Sequence, residues 1–348
     1  MAAVPPQNEF RRPPLPPPAF PPKGRPWGRI MLTACLVALP AVVAALFLTN
    51  STRRYGYALF VVLPSAAGFI CGLVVNAQTT WNWGNSLIAA ALTSAAVVMG
   101  LLVLRVEGMV CILMAAALLW GLVMIGLLIA WVVRKIARSR AAQRNFILLA
   151  IGCVPLCSAV EVQVAPRLEL IEQTSVIEID APVATVWRFV PAFPDITAPP
   201  SWIFRSGVAY PLRSEIEGSG VGASRRCVLS TGVMEETVTR WEPDAFLEFS
   251  VLTVPPAMKE ASIYDHLETP HLQGYFTPQR GRFVLTPLPN GRTRLEGTSW
   301  YVHQIWPQSY WTPITRRIVH GIHERVLEHI KVLAEQEPRS GDSPPGQN

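Results

Sequence analysis

The side chains able to do acid–base chemistry crowd into the second half of the chain. All six histidines lie there: His266, His271, His303, His320, His323 and His329. His320 and His323 stand three apart with Glu324 next, loosely like a helical metal pair. Zinc sites on helices more often use the HExxH spacing, which is absent, and Arg316, Arg317 and Arg325 crowd the same stretch with positive charge. No metal and no cofactor is therefore expected. His323 is distinct: on a helical wheel it falls beside Val319, Val326 and Ile330, at the edge of an apolar stripe. His303 lies two residues after Tyr301, on the same face of a strand. If that face looks inward, Tyr301, His303 and His323 supply polar contacts inside a cavity.

Glu236 is the remaining titratable candidate. Pointing inward among apolar groups, its pKa would rise and it could serve as an acid; a strand-edge salt bridge with Arg225 or Arg226 is the competing role. If the protein is an enzyme, Glu236, Tyr301, His303 and His323 are its candidates; no residue is assigned as catalytic. The glycine-rich Gly218–Gly222 (GSGVG) is not followed by a helical pattern, so it reads as a hairpin turn and not as a phosphate cradle. No G-x-S-x-G, P-loop or Cys/His nucleophile arrangement is present.

The elements that would position these groups follow from periodicity. From Pro307 to Glu335, apolar residues fall at Trp311, Ile314, Ile318, Ile322, Val326, Ile330 and Leu333, in steps of three or four that line one helical face. Upstream, SVIEID (Ser175–Asp180) alternates as a half-buried strand does, and VATVWRFV makes a short helix. From Trp202 to about Gln304 come short alternating runs parted by turn signals, among them Asn290-Gly291, a strong hairpin signal.

The first half is of another kind. Mean hydropathy is +0.30 with 16% charged residues, and the excess is local. Residues 1–160 carry 13 Lys and Arg against two acids, net +11, while residues 161–348 are net −5, giving +6 in all. The basic pI of 9.2 is therefore not a nucleic-acid signature. Four runs are long enough to cross a bilayer: about 30–49, 57–77, 86–104 and 109–133, with a marginal fifth at 146–160. Arg134, Lys135, Arg138, Arg140 and Arg144 place the loop before the fifth run in the cytoplasm, together with the basic N-terminus. If 146–160 spans, the C-terminal domain emerges outside the cytoplasm; if it only dips into the interface, the domain is cytoplasmic. The reading leans to a fifth span in a bacterial inner membrane. No charge lies in mid-span, which argues against an ion-coupled transporter. Residues 1–28, with ten prolines, and 337–348 read as disordered tails, and 161–174 as a connector.

Three stretches recur together in one family: VIEIDAPVATVW, GVGASRRC with GVMEETVTRWEPDAFLEFSV, and GRTRLEGTSWY before the closing helix. Residues 175–336 thereby resemble the START-related helix-grip superfamily, in its polyketide cyclase/dehydrase-like (SRPBCC) branch. The resemblance implies an α+β domain, a curved antiparallel sheet around a long C-terminal helix, with an apolar cavity between them. Phe249, Val251, Tyr275, Tyr301, His303, Trp311 and His323 are the residues expected to line it, although rings in such a domain can equally fill a core. Pro255–Gln273 is longer than the usual link and is a candidate lid. The function expected is a membrane-anchored domain holding a lipid or other hydrophobic small molecule. The alternatives are an enzyme of the cyclase or dehydratase type and a protein that docks a partner at the membrane.

Overall fold

The computed structural model describes residues 27–51, 55–164, 168–259 and 274–337. Most of the Pro-rich segment, the final residues, Tyr264, His266, His271 and most of the expected lid lie outside these ranges.

Five helices are long and apolar enough to cross a membrane. They are α1 (Trp27–Ser51), α2 (Ala58–Val75, with π-helical opening turns), α3 (Trp83–Val103), α4 (Met109–Ile136) and α5 (Arg140–Gln163). The marginal fifth run is thus a helix of 24 residues. Ser139 starts it early by accepting from the Ala142 N–H, which folds Arg140 and Arg144 into its first turns. At its far end Glu161 accepts from the backbone N–H groups of Tyr57 and Ala58, capping α2 from another helix.

The helices pair as α1 with α3 and α2 with α4. Gly126 makes the second pairing close: a Cβ there would lie 2.1 Å from the Ser65 carbonyl oxygen. Gly121, equally suited by type, faces open space. α3 and α4, although consecutive, touch little, and a cleft remains between the two pairs.

Seven strands follow: β1 (Ile171–Ile179), β2 (Pro211–Glu217), β3 (Ser224–Leu229), β4 (Gly232–Glu242), β5 (Phe246–Thr253), β6 (Phe276–Pro287) and β7 (Thr293–His303). They form one antiparallel sheet in the order β1-β7-β6-β5-β4-β3-β2. Short helices α6 (Val183–Trp187) and α7 (Trp202–Arg205) lie between β1 and β2. Asn290 and Gly291, both at positive φ, turn β6 into β7, and three glycines at positive φ turn β2 into β3. The long helix α8 (Gln308–Gln336) touches β1 and β7 on one side and the opposite edge strand β2 on the other. A sheet whose two edges both reach one helix is curled around it. This is the helix-grip fold.

The two ends of α8 do different work. Val326, Leu327 and Ile330 join Ile179, Leu247, Leu295 and Phe193 in a hydrophobic core, each such side chain contributing about 1.5–3 kcal/mol by leaving water. Towards its start, Trp311, Thr315, Val319 and His323 are buried, and together with Ile314, Ile318 and Ile322 they line a cavity. The apolar stripe read from the sequence therefore mixes two surfaces, because the helix is covered on more than one side.

Candidate functional site: a cavity shared by both halves

The domain stands on the helices by the open end of its grip. Tyr55, between α1 and α2, bridges Ile305 through its backbone, accepting from the Trp306 N–H at 2.8 Å. The Tyr55 ring meets Tyr275 edge-on at 5.2 Å, and Phe60 meets Trp311 at 5.5 Å. Tyr310 donates its hydroxyl to the Met114 carbonyl at 2.6 Å, and the Tyr55 hydroxyl donates to Glu107 at 2.8 Å. Val110, Cys111 and Met114, the first turns of α4, pack with Phe204, Val208, Met258, Ile318 and Ile322. The basic segment at the end of α4 lies at the other end of the bundle, where Arg134 donates to the Thr79 carbonyl.

Above this junction lies a cavity of about 540 Å³, within the range of roughly 300–1,000 Å³ usual for small-molecule sites. Its wall is almost wholly apolar and comes from both halves. The domain contributes strands β3 to β7 and α8; the helices contribute Ala41 and Ala45 of α1, Ala67 of α2, Ser94 and Val98 of α3, and Ala115 and Leu119 of α4. The small residues of α1, α2 and α4 keep the cleft between the helix pairs open to the domain's interior.

Phe249, Val251, Tyr301, Trp311 and His323 are among the residues around this void. Tyr275 is placed instead in the junction, against Tyr55. His303 shares the inward face of β7 with Tyr301, but it is buried behind the wall and its Nε2 meets the Thr312 hydroxyl at 3.0 Å; burial holds its pKa low. Gly281 belongs to the same design: a Cβ there would come within 2.4 Å of the Phe249 ring.

Glu236 is not at a strand edge. β4 is interior to the sheet, and Glu236 sits directly opposite Arg225 of β3, both buried and both facing the cavity. Arg225 pairs with one carboxylate oxygen, donates from Nε to the Pro191 carbonyl at 2.9 Å, and lies over the Phe249 ring. The other oxygen, Oε1, has no hydrogen-bond partner among the described residues. Burial pushes the Glu236 carboxyl up, and Arg225 pulls against it. Neighbouring Cys227, also on the wall, is pushed up to about 12 by burial, with Glu236 adding to the effect.

His323 is held between two hydroxyls. Ser299 of β7 lies 2.7 Å from its Nε2 and Ser175 of β1 lies 3.1 Å from its Nδ1. Ser175 pairs with Gly297 in the sheet. Burial, with a smaller contribution from His320, lowers its pKa to about 4; the imidazole is neutral near pH 7. Ser175 and Ser299 carry no sequence signature, because a serine on a strand is ordinary until its neighbours are known. Among the described residues no group of three or more His, Cys, Asp or Glu is arranged to hold a metal.

Solved structures similar to this chain share its second half. Norcoclaurine synthase from Thalictrum flavum is 10% identical, with 50% of this chain and 99% of that one covered at a TM-score of 0.32. The Zhui aromatase/cyclase from Streptomyces sp. R1128 is 14% identical, with 50% and 99% covered at 0.32. A putative uncharacterized protein from Bacillus thuringiensis is 13% identical, with 48% and 100% covered at 0.32. Identities this low mark a likeness of fold alone. No protein-family model and no curated protein matches the sequence.

Proposed function

We propose that this is an integral membrane protein whose helix-grip domain holds a lipid, or a hydrophobic molecule of similar shape, in a cavity continuous with its helices. The observation that carries the reading is the shared wall: a site open to a cleft between apolar helices suits a ligand that already partitions into the bilayer. Ala41, Ala45, Ala67 and Ala115 favour a chain-like occupant in that cleft. The positive-inside rule puts the N-terminus and the 134–144 segment in the cytoplasm of a bacterial inner membrane. The five helices then carry the domain to the other side.

The test is binding of 1-pyrenedodecanoic acid to the full chain in nanodiscs. Saturable binding is expected, weakened at least tenfold by Ala67→Trp or Val98→Trp, which fill the cleft without touching the sheet. Binding unaffected by either variant would sink the proposal.

A second reading has one observation in its favour. Glu236, one oxygen of which has no hydrogen-bond partner among the described residues, and a neutral His323 share the wall of one apolar cavity, an arrangement compatible with acid–base catalysis of the cyclase or dehydratase type. Its mark would be turnover of a hydrophobic substrate lost in Glu236→Gln or His323→Gln.

A further inference from the structure

The four helices that wall the lower part of the cavity form a ring, and three of its four seams are packed shut. Leu48 of α1 shares a buried cluster with Ala58 and Val62 of α2. A Cβ on Gly100 of α3 would lie 2.9 Å from the Val42 side chain of α1, and α2 meets α4 backbone to backbone at Gly68 and Gly126. The fourth seam, between α3 and α4, is different. The two helices meet at a cluster of Ala90 with Val123 and Leu127, and residues 104–108 join them at the other end. Between these points they touch little, and both turn residues to the cavity: Val98 and Leu101 from α3, Ala116 and Trp120 from α4. Trp120 lines the cavity and is still 40% exposed. Leu113, seven residues earlier on the same helix, is 74% exposed and takes no part in the wall. Trp120 therefore stands where the inner wall of the cleft becomes the outer surface of the bundle.

The cleft also has a floor. Its deepest residues on α1, α2 and α3 are Ala41, Ala67 and Thr93, nine or ten residues from the domain-side helix ends Ser51, Ala58 and Val103. At 1.5 Å per residue that is about 15 Å, half of a hydrocarbon core of roughly 30 Å. On α4 the deepest residue is Val123, level with Gly68 of α2, whose Cβ position is 2.1 Å from the Val123 carbonyl oxygen. Here the Cys71 sulfur and the Thr93 hydroxyl oxygen, 3.2 Å apart, join α2 to α3. The cleft is as deep as one leaflet and closed below.

We propose that the α3–α4 seam is a lateral entrance, and that the ligand is a lipid of the domain-side leaflet whose acyl chain enters through it. At this depth the chain exchanges one apolar surrounding for another. Entry from water would first draw the chain out of the bilayer, at a cost that grows with every CH₂. The polar end stays on the side of the domain, where the cavity continues between the strands and α8. The inference rests on the cavity being a lipid site, as proposed above, and adds the leaflet that supplies the ligand and the path it takes.

The experiment uses a phosphatidylcholine with a diazirine at the end of one acyl chain. It is exchanged into a single leaflet of vesicles that hold the full chain with its domain outward, as cleavage by external trypsin shows. Illuminated in the outer leaflet, the probe is expected to label Ala41 and Val123, both buried at the floor of the cleft, at least fivefold more than from the inner leaflet. Ala116→Trp, which adds bulk at the seam, should cut that labelling at least fivefold and leave labelling of the outward-facing Leu156 of α5 unchanged. Trp120→Ala, which widens the seam, should raise early labelling of the floor at least twofold, and no rise refutes the seam as the path. Equal labelling of the floor from the two leaflets overturns the proposal, and so does labelling confined to Leu156 and other outward residues. Either result leaves the cavity reading standing while 1-pyrenedodecanoic acid still binds saturably; absence of that binding in the unmodified protein overturns both.

Discussion

The hydroxyl of Tyr310, in the first turn of α8, donates to the carbonyl oxygen of Met114 on α4 across 2.6 Å. It ties the gripping helix of one half to a helix of the other, and it lies beside the Phe60–Trp311 contact on the cavity wall. Tyr310→Phe removes the bond and little else, and the expected loss is about 1 kcal/mol of stability. Thermal unfolding of the full chain in mild detergent reads it. Because the bond crosses the junction, limited proteolysis should also release the domain faster from the variant; unchanged melting and unchanged cleavage would show that the halves are not coupled there.

The pH dependence of stability has a sign set by His323. Its folded-state pKa, about 4, lies below the ordinary value of 6.5 because the ring is buried. The contribution is therefore fully present above pH 6.5 and is lost as the pH falls from 6.5 towards 4, where the unfolded chain binds a proton and the native ring does not. The loss amounts to about 3 kcal/mol over that window. His303 and His329 are also held low by burial and add to the slope, while Glu236, pushed up by burial, opposes it. Unfolding midpoints measured from pH 7 to 4 should fall steeply in the natural protein and visibly less in His323→Gln. Parallel curves would contradict the assignment.

Much of this was legible from local pattern. The alternation in β1, the glycines after β2 and the Asn290-Gly291 turn are short-range signals, and they led directly to the sheet and the long helix. The apolar run marks only 146–160 of the fifth helix, because Arg140, Arg144 and Glu161 interrupt the pattern; the Ser139 cap and the Glu161 contacts with α2 account for its full length. The junction left no trace, since Tyr55 meets Ile305 and Met114 meets Tyr310 across long sequence separations. Residue type suggested a partner for Glu236 in Arg225. That the pair is buried depends on the sheet curling around α8, which no local pattern encodes. The same holds for Tyr275 and His303: both sit on inward-looking segments, but one is taken up by the junction and the other lies behind Thr312.

The Arg225–Glu236 pair should be costly to break and cheap to replace. Arg225→Met leaves a buried carboxylate without its partner, and removing one member of such a pair costs about 3–5 kcal/mol. Glu236→Leu strands the guanidinium, which still has the Pro191 carbonyl and the Phe249 ring, so its cost should be smaller. The double variant Arg225→Met/Glu236→Leu should recover most of the loss, because the wall around it is apolar. Chemical denaturation of the four proteins closes the cycle. Additive losses would mean that the two charges are not coupled.

The contact of α2 with α4 gives the sharpest prediction for the helical half. A Cβ on Gly126 would sit 2.1 Å from the Ser65 carbonyl oxygen, and one on Gly68 would sit 2.1 Å from that of Val123. Backbone cannot swing aside as a side chain can, so either alanine must push the helices apart. Overpacking of this kind costs about 1–3 kcal/mol. Separating α2 from α4 also widens the cleft they share with α1 and α3, so Gly126→Ala should lower the melting temperature in detergent and weaken probe binding together. Gly121→Ala on the same helix is the control: nothing lies within 4 Å of its Cβ position, and it should melt and bind as the natural protein does. Equal behaviour of Gly126→Ala and Gly121→Ala would mean that the helices do not meet backbone to backbone.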